Sequence, residues 1–570
     1  MTSLAFCITI QVAQLAANPT CEGNGMKTQR ADMILVGGRF LTMEREGEIA
    51  EAVVIENGRI LYVGNEEKAR SFADEDTEVI DLGGRVAAPG LIDCHTHPMS
   101  SYAPRFSWLD LSGKNTASLE TLIACIKEVA KNTPKGGWIV GRGFDESKFA
   151  EGAIPLTAEI LDRATTDHIV FLTRTCGHIG VLNSRAIAHC GFTDASVPPV
   201  GGGHFFKDES GRLTGMISGA VLGLVPVPAL TEAQRKNGMT EGVQREYFSK
   251  GITATGEMGS RAISLRMLEQ LDAEGKLKLK VGFYFAGRRR AGEEPMAKRM
   301  QIMGLVPGFG SEHLKILGIK FVMDGSTGGR TAAFSEPYVG EPSNYGELYN
   351  DQKELNEDVL TSAKAGLQIS IHAIGDRAIE SALQAVEYAN ANGVDTTRLR
   401  VRFEHLESPT PDQIARIKRL SIAVGLSSAF IYSLGDSHLS ALGYDRLVDA
   451  FPAKTLMENG IVVGCNSDCP VCPVNPMLGV YSMVMRTTEA GKSFGGTKEA
   501  IDRISALRSY TKDAAYLLYA EKELGTLSVG KCADLVVFDE DYLNVPDNEL
   551  KDVSVYMTVS DGEIVYKKSK

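Results

Sequence analysis

The spacing of apolar positions divides the chain into three stretches. Near the start, Met33-Ile34-Leu35-Val36-Gly37-Gly38-Arg39-Phe40-Leu41-Thr42 reads as a strand, a Gly-Gly turn and a strand. Residues 52–64 repeat the form around Asn57-Gly58, a hairpin signal, and a short strand follows at 79–82. The far end echoes this arrangement. Residues 525–539 form a turn and a strand, and 553–559 and 563–566 flank Asp561-Gly562 as a last hairpin. Residues 26–86 and 515–570 are therefore expected to form one small composite β-sandwich domain, because chain termini often lie close together.

Between these ends, apolar runs of strand length alternate with helical patterns, the signature of a parallel α/β architecture. The runs are 87–94, 169–173, 252–255, 279–285, 317–322, 369–374, 401–403, 422–426 and 461–465. That is one more than an eight-stranded barrel needs. The surplus falls between Ser100 and Leu230, too long a stretch for a single β/α connection. Run 169–173 is assigned to an insertion near the barrel mouth, at about residues 100–230. The other eight fill a (β/α)8 TIM barrel over residues 87–514.

Composition changes this picture little. The 570 residues carry a net charge of −12, which argues against nucleic acid as a partner. Ten scattered cysteines fit reduced thiols in a cytoplasmic protein rather than a disulfide scaffold. Cys469-x-x-Cys472 lies between Pro470 and Pro473 and reads as two small apolar residues near a pocket. Residues 1–25 read as an extension outside the fold. Their apolar part is too short and too interrupted by Gln to span a membrane, and a weak export signal is the minor alternative.

Candidate chemistry gathers at the strand ends. His95 and His97 close the first barrel run, and residues i and i+2 of a strand point to one face. The fourth run carries Lys320, the fifth ends at His372, the sixth at His405, and the eighth at Asn466-Ser467-Asp468. Barrel enzymes carry their active sites at this end of the strands. Imidazole and carboxylate together suit Zn2+ and related divalent ions.

The pattern resembles the metal-dependent amidohydrolase superfamily, in its YtcJ-like and N-substituted formamide deformylase-like branch. The resemblance rests on Pro89-Gly90-Leu91-Ile92-Asp93-x-His95-x-His97, the Gly137–Ser147 run, and Lys320-Phe321-x-x-Asp324-Gly325-Ser326 with Arg330-Thr331-Ala332-Ala333. It continues in His372-Ala373-Ile374-Gly375-Asp376-Arg377-Ala378, Arg402-x-Glu404-His405 and Ser467-Asp468-x-Pro470-Val471. Two segments depart from the branch. Cys176-Gly177-His178 stands where Asp-Gly-His is frequent, and Val424-Gly425-Leu426-Ser427-Ser428 stands where relatives have a Gln-Pro pattern. Both are expected where substrate groups are met.

The resemblance implies that Lys320 becomes a carbamate bridging two ions, because an unmodified ammonium has no acceptor lone pair. His95, His97 and Asp468 would hold one ion, and His372 and His405 the other. An ion pair of Lys320 with Asp324 or Asp468, leaving one metal, is the alternative. The implied reaction is hydrolysis of a C–N bond in a small amide or N-formyl or N-acyl substrate, other than a peptide. It proceeds through hydroxide generated on the metal, with Asp468 as general acid and base. Arg174 and His178 are implied as substrate-binding residues, and a homodimer is the expected assembly. A lactone or other ester hydrolase on the same centre is the nearest rival. A non-catalytic interaction protein of the same fold is the remoter one.

Overall fold

The computed structural model describes residues 30–111, 116–146, 149–152, 154–175, 179–199, 203–287 and 293–569. Residues 1–25 and His178 lie outside the described residues.

Eight parallel strands form one sheet whose order follows the chain: β1 Leu91–Thr96, β2 Ile252–Ser260, β3 Lys280–Ala286, β4 Leu314–Val322, β5 Gln368–Ala373, β6 Arg402–His405, β7 Ala423–Leu426 and β8 Val463–Cys465. All eight barrel runs read from the sequence are present. Strands of this kind are covered on both faces, which is why they appear as near-continuous apolar runs. The sheet curls until β8 meets β1. The Cys94 thiol donates to Cys465 O, and above it Asp468 N–H donates to His95 O and His97 N–H to Cys469 O. The floor of the barrel is closed by the helix Lys512–Leu517, whose Ala514 and Leu517 pack with Ile92, Ala254 and Leu317. Helices stand between the strands on the outside. Pro411–Arg419 is typical, with a Thr410/Gln413 capping box and Pro411 in its first turn.

The run 87–94 is not one strand. Val86–Pro89 joins the sandwich and Leu91–Thr96 the barrel, with Gly90 between them. Gly90 donates its N–H to Asp534 O, and a Cβ there would lie 2.3 Å from Thr253 Oγ1. Only glycine lets the two domains approach this closely. The Gly37-Gly38 turn also does more than reverse the chain. Met33–Val36 pairs with Ala52–Glu56 and Glu78–Asp81, whereas Arg39–Leu41 pairs with Ile49–Ala50 and Val86–Pro89. The turn therefore carries the chain from one sheet to the other. The second sheet is completed by Leu535–Phe538, Val555–Ser560 and Glu563–Lys567. Leu35, Phe40, Val53 and Ile55 share one core with Leu535, Val537, Met557 and Val559, so both ends of the chain bury the same apolar surface.

The insertion holds more strands than the single run 169–173. A six-stranded sheet contains Leu109–Asp110, Trp138–Phe144, Ile169–Arg174, Ile179–Leu182, Leu213–Ser218 and His204–Lys207. The first three are mutually parallel. At its base, Ala103 and Phe106 press on the turns before β2. A Cβ on Gly242 would lie 2.2 Å from the Phe106 ring.

Candidate metal centre

The six residues singled out at the strand ends are His95, His97, Lys320, His372, His405 and Asp468, and the structure brings them together. Imidazole centroids lie 5.5 Å apart for His95 and His97, 5.0 Å for His95 and His405, and 4.4 Å for His372 and His405. Lys320 Nζ donates to His95 Nε2 at 3.1 Å, and Asp468 Oδ1 lies 3.1 Å from His97 Nε2 and 3.5 Å from His95 Nε2. One ligand atom each from His95, His405 and Asp468 falls within 4.8 Å of the others.

Each imidazole has one nitrogen occupied on its outer side. His95 Nδ1 donates to Glu404 Oε2 at 2.7 Å, His97 Nδ1 to Met258 O at 2.9 Å, and His372 Nε2 to Gly325 O at 3.0 Å. His405 Nδ1 lies 2.7 Å from Ser427 Oγ. The remaining nitrogens are Nε2 of His95, His97 and His405 and Nδ1 of His372. Fixing the outer nitrogen in this way sets tautomer and ring orientation in metal sites. The donor set of four imidazoles with one carboxylate therefore fits a divalent ion.

The electrostatics agree. Burial, reinforced by Lys320 next to His95 and by His372 next to His405, holds both imidazoles well below the usual histidine range. Burial raises the Asp468 carboxyl, but its His97 hydrogen bond and the neighbouring His95, His97 and Lys320 outweigh that and leave it lowered. Burial lowers Lys320 to about 8 despite the pull of Glu404 and Asp468. His405 and Asp468 also adopt left-handed backbone, with φ of 70° and 54°. Each such residue costs about 1–3 kcal/mol and persists only where its surroundings impose it.

Glu404, reached only through the resemblance, is central to this support. It is fully buried, accepts from Arg402 Nε at 2.5 Å, Arg402 Nη2 at 3.0 Å and Ser370 Oγ at 2.8 Å, and holds His95. The signal was available: two charges at i and i+2 in an otherwise apolar barrel strand must face the interior together. Asp93 accepts from Ser467 N–H at 3.1 Å and Ser467 Oγ at 2.5 Å, bracing the turn that presents Asp468. Asp324 does not pair with Lys320 as the sequence allowed. It accepts from the backbone N–H groups of Ala333, Ile374 and Gly375 and lies 3.3 Å from His372 Nε2.

Of the two expected substrate residues, Arg174 makes its ion pairs away from this cluster. Arg174 pairs with Asp145 at 3.4 Å and Glu146 at 3.0 Å, all within the insertion, and His178 is not described. Ser427 and Ser428, expected to meet substrate, are fully buried instead. Ser427 contacts His405 and so sits behind that imidazole, and Ser428 Oγ lies 2.9 Å from the Tyr510 hydroxyl. Cys469 and Cys472 are buried free thiols.

Residues 78–566 match the profile of the amidohydrolase family. YtcJ of Bacillus subtilis (strain 168) is 30% identical over 545 residues, covering 94% of this chain and 99% of its own length. N-substituted formamide deformylase of Arthrobacter pascens is 26% identical over 554 residues, covering 95% and 99%. The crystal structure of an uncharacterized metal-dependent hydrolase from Pyrococcus furiosus superposes with a TM-score of 0.72 at 28% identity, covering 90% of this chain and all of that one.

Proposed function

Because the chain belongs to the amidohydrolase family of metal-dependent hydrolases, we propose that it hydrolyses a carbon–nitrogen bond in a small N-formyl or N-acyl amide that is not a peptide. The observation that carries this reading is the convergence of four imidazoles and Asp468, with each imidazole anchored on its outer side. The relative named as an N-substituted formamide deformylase supports the choice of bond.

His95, His97 and Asp468 would hold one divalent ion, His372 and His405 a second, and Lys320 would span them as a carbamate. Zn2+ suits this donor set. Such an ion supplies acidified water and polarises the scissile carbonyl. The chain's own residues do the rest. Asp468 takes a proton from the attacking water and passes it to the leaving nitrogen as the C–N bond breaks, giving a carboxylic acid and an amine. Glu404 and Arg402 keep His95 in place while this happens. Arg174 and His178 are proposed to contact substrate from the insertion. A cytoplasmic homodimer completes the reading, checked by light scattering and fractionation.

The test is a panel of formamides, N-acyl amines, N-acyl amino acids, lactones and other esters offered to zinc-loaded enzyme. Turnover of an amide in the wild type, with Asp468→Ala slower by about 10²–10⁴-fold, supports the proposal. Turnover of lactones or esters alone would move the activity to that class. A purified wild type that takes up no metal and turns over nothing on the panel would defeat the reading. The Lys320 carbamate is tested separately, by carbon NMR after exchange with isotopically labelled bicarbonate.

A further inference from the structure

Three of the four converging imidazoles have their outer nitrogen fixed by a group that only accepts: the Glu404 carboxylate, the Met258 carbonyl or the Gly325 carbonyl. His405 is different. Its Nδ1 faces the hydroxyl of Ser427 at 2.7 Å, and a hydroxyl both donates and accepts. Which of the two it does decides where the proton of the neutral ring sits. When Ser427 accepts, Nδ1 carries the hydrogen and Nε2 keeps the lone pair a metal needs. When Ser427 donates, Nε2 carries the hydrogen and cannot ligate.

A second residue sets the direction. Ser427 Oγ donates to Asn466 Oδ1 at 2.8 Å, so its one hydrogen is committed and it accepts from His405. Ser427 and Asn466 are both fully buried, at the ends of β7 and β8. Asn466 Nδ2 is buried with no hydrogen-bond partner. Ser427 is thus the one side-chain hydrogen-bond partner of this amide among the described residues. Rotating the amide would present an N–H to Ser427, reverse the relay and place the hydrogen of His405 on Nε2. The Phe430 ring, stacked on His405 at 5.7 Å and 14°, restrains the plane of the imidazole but not its proton.

We propose that Ser427 and Asn466 are positioning residues that hold His405 in its Nδ1–H form and so set how tightly the centre binds its ion. The inference rests on the metal-centre reading above and goes beyond it. It assigns a role to the segment where this chain departs from the Gln-Pro pattern of its relatives.

Metal-free protein is titrated with Zn2+ and with Co2+ against a chromogenic chelator, and the Co2+ absorption spectrum is recorded. Ser427→Ala is expected to weaken metal binding by about 10–100-fold, and Ser427→Thr, which keeps the hydroxyl, to restore it. Asn466→Asp can only accept and is expected to bind at least as tightly as wild type. Asn466→Leu is expected to weaken binding as Ser427→Ala does. Melting curves of the metal-free variants matching wild type separate these effects from misfolding. Equal affinity in Ser427→Ala and wild type would overturn the proposal while leaving the metal centre intact. A wild type that binds neither ion would overturn the metal centre and this inference with it.

Discussion

Replacing Glu404 by Gln removes one charge from a pair that has no access to solvent. Arg402 and Glu404 are each 0% exposed, and the guanidinium makes two of its contacts to this carboxylate. Its others go to Cys94 O at 3.0 Å, the Tyr284 hydroxyl at 3.3 Å and Leu517 O at 3.5 Å, none of them charged. Breaking a buried pair from one side leaves the other charge uncompensated and costs about 3–5 kcal/mol. The amide of Gln also turns an N–H toward groups that already donate, so it cannot serve Arg402, Ser370 and His95 together. Glu404→Gln is thus expected to lose about 3–5 kcal/mol of stability without metal and about 10–100-fold in metal affinity. Urea unfolding followed by far-ultraviolet circular dichroism reads the first, and chelator competition the second. The double variant Arg402→Met with Glu404→Leu separates the two roles. Removing both charges together should recover most of the stability, but His95 still lacks its acceptor and metal binding should stay weak. A single-variant loss below about 1 kcal/mol, the typical net worth of an ordinary hydrogen bond, would refute the reasoning. So would a double variant that binds metal like wild type.

Gly425→Ala should act through the same pair, because its Cβ would fall 2.2 Å from Glu404 Oε2 and 2.9 Å from Arg402 Nη2. A loss of about 1–3 kcal/mol in urea unfolding is expected, together with weaker metal retention. Burial raises Asp513 to about 6 although Arg508 lies beside it. Its folded pKa exceeds the unfolded value near 3.8, so the folded state holds the proton longer. Its contribution is complete below about pH 4 and is lost as pH rises toward 6, by about 3 kcal/mol in all. Asp513→Asn should flatten stability over that window, and an unchanged pH profile would count against the assignment. Val322 lies in register with His372 on the same face of β4 as Lys320, and is 42% exposed. Val322→Lys should raise KM about tenfold or more for amides with an apolar substituent while leaving unsubstituted formamide unaffected. Equal effects on both substrates would rule out contact with the substituent.

The parts of this molecule that were legible in its sequence are those governed by period and burial. The strands β1 to β8 stand out because they are covered on both faces and most read as runs rich in apolar residues. His95, His372, His405 and Asp468 stand out because they sit where those runs end. The split at Gly90 leaves no mark in a hydrophobic pattern, since apolar residues continue on either side of it. Its cause is a tertiary contact with Thr253 and Asp534. The insertion strands were mostly missed because they are short or half-exposed, as at Leu213–Ser218, and include glycines at Gly141, Gly143 and Gly215.

The same division runs through the candidate centre. The ligands follow from strand periodicity, but the groups that fix their tautomers come from other strands, three of them neighbours and one, Glu404, across the barrel. His97 and His372 depend on the carbonyls of Met258 and Gly325, and a backbone carbonyl has no letter in a sequence. Ser427 has a letter but an ambiguous one, because a hydroxyl at the end of β7 serves equally as substrate contact, cap or relay. Its role emerges only when His405 on one side and Asn466 on the other are both in place. Period therefore specifies which side chains face the barrel axis. Their protonation state, which decides whether they can hold an ion, is specified by contacts between residues far apart in the chain: 309 positions for His95 and Glu404, 161 for His97 and Met258. A variant that preserves every ligand can therefore still lose the centre.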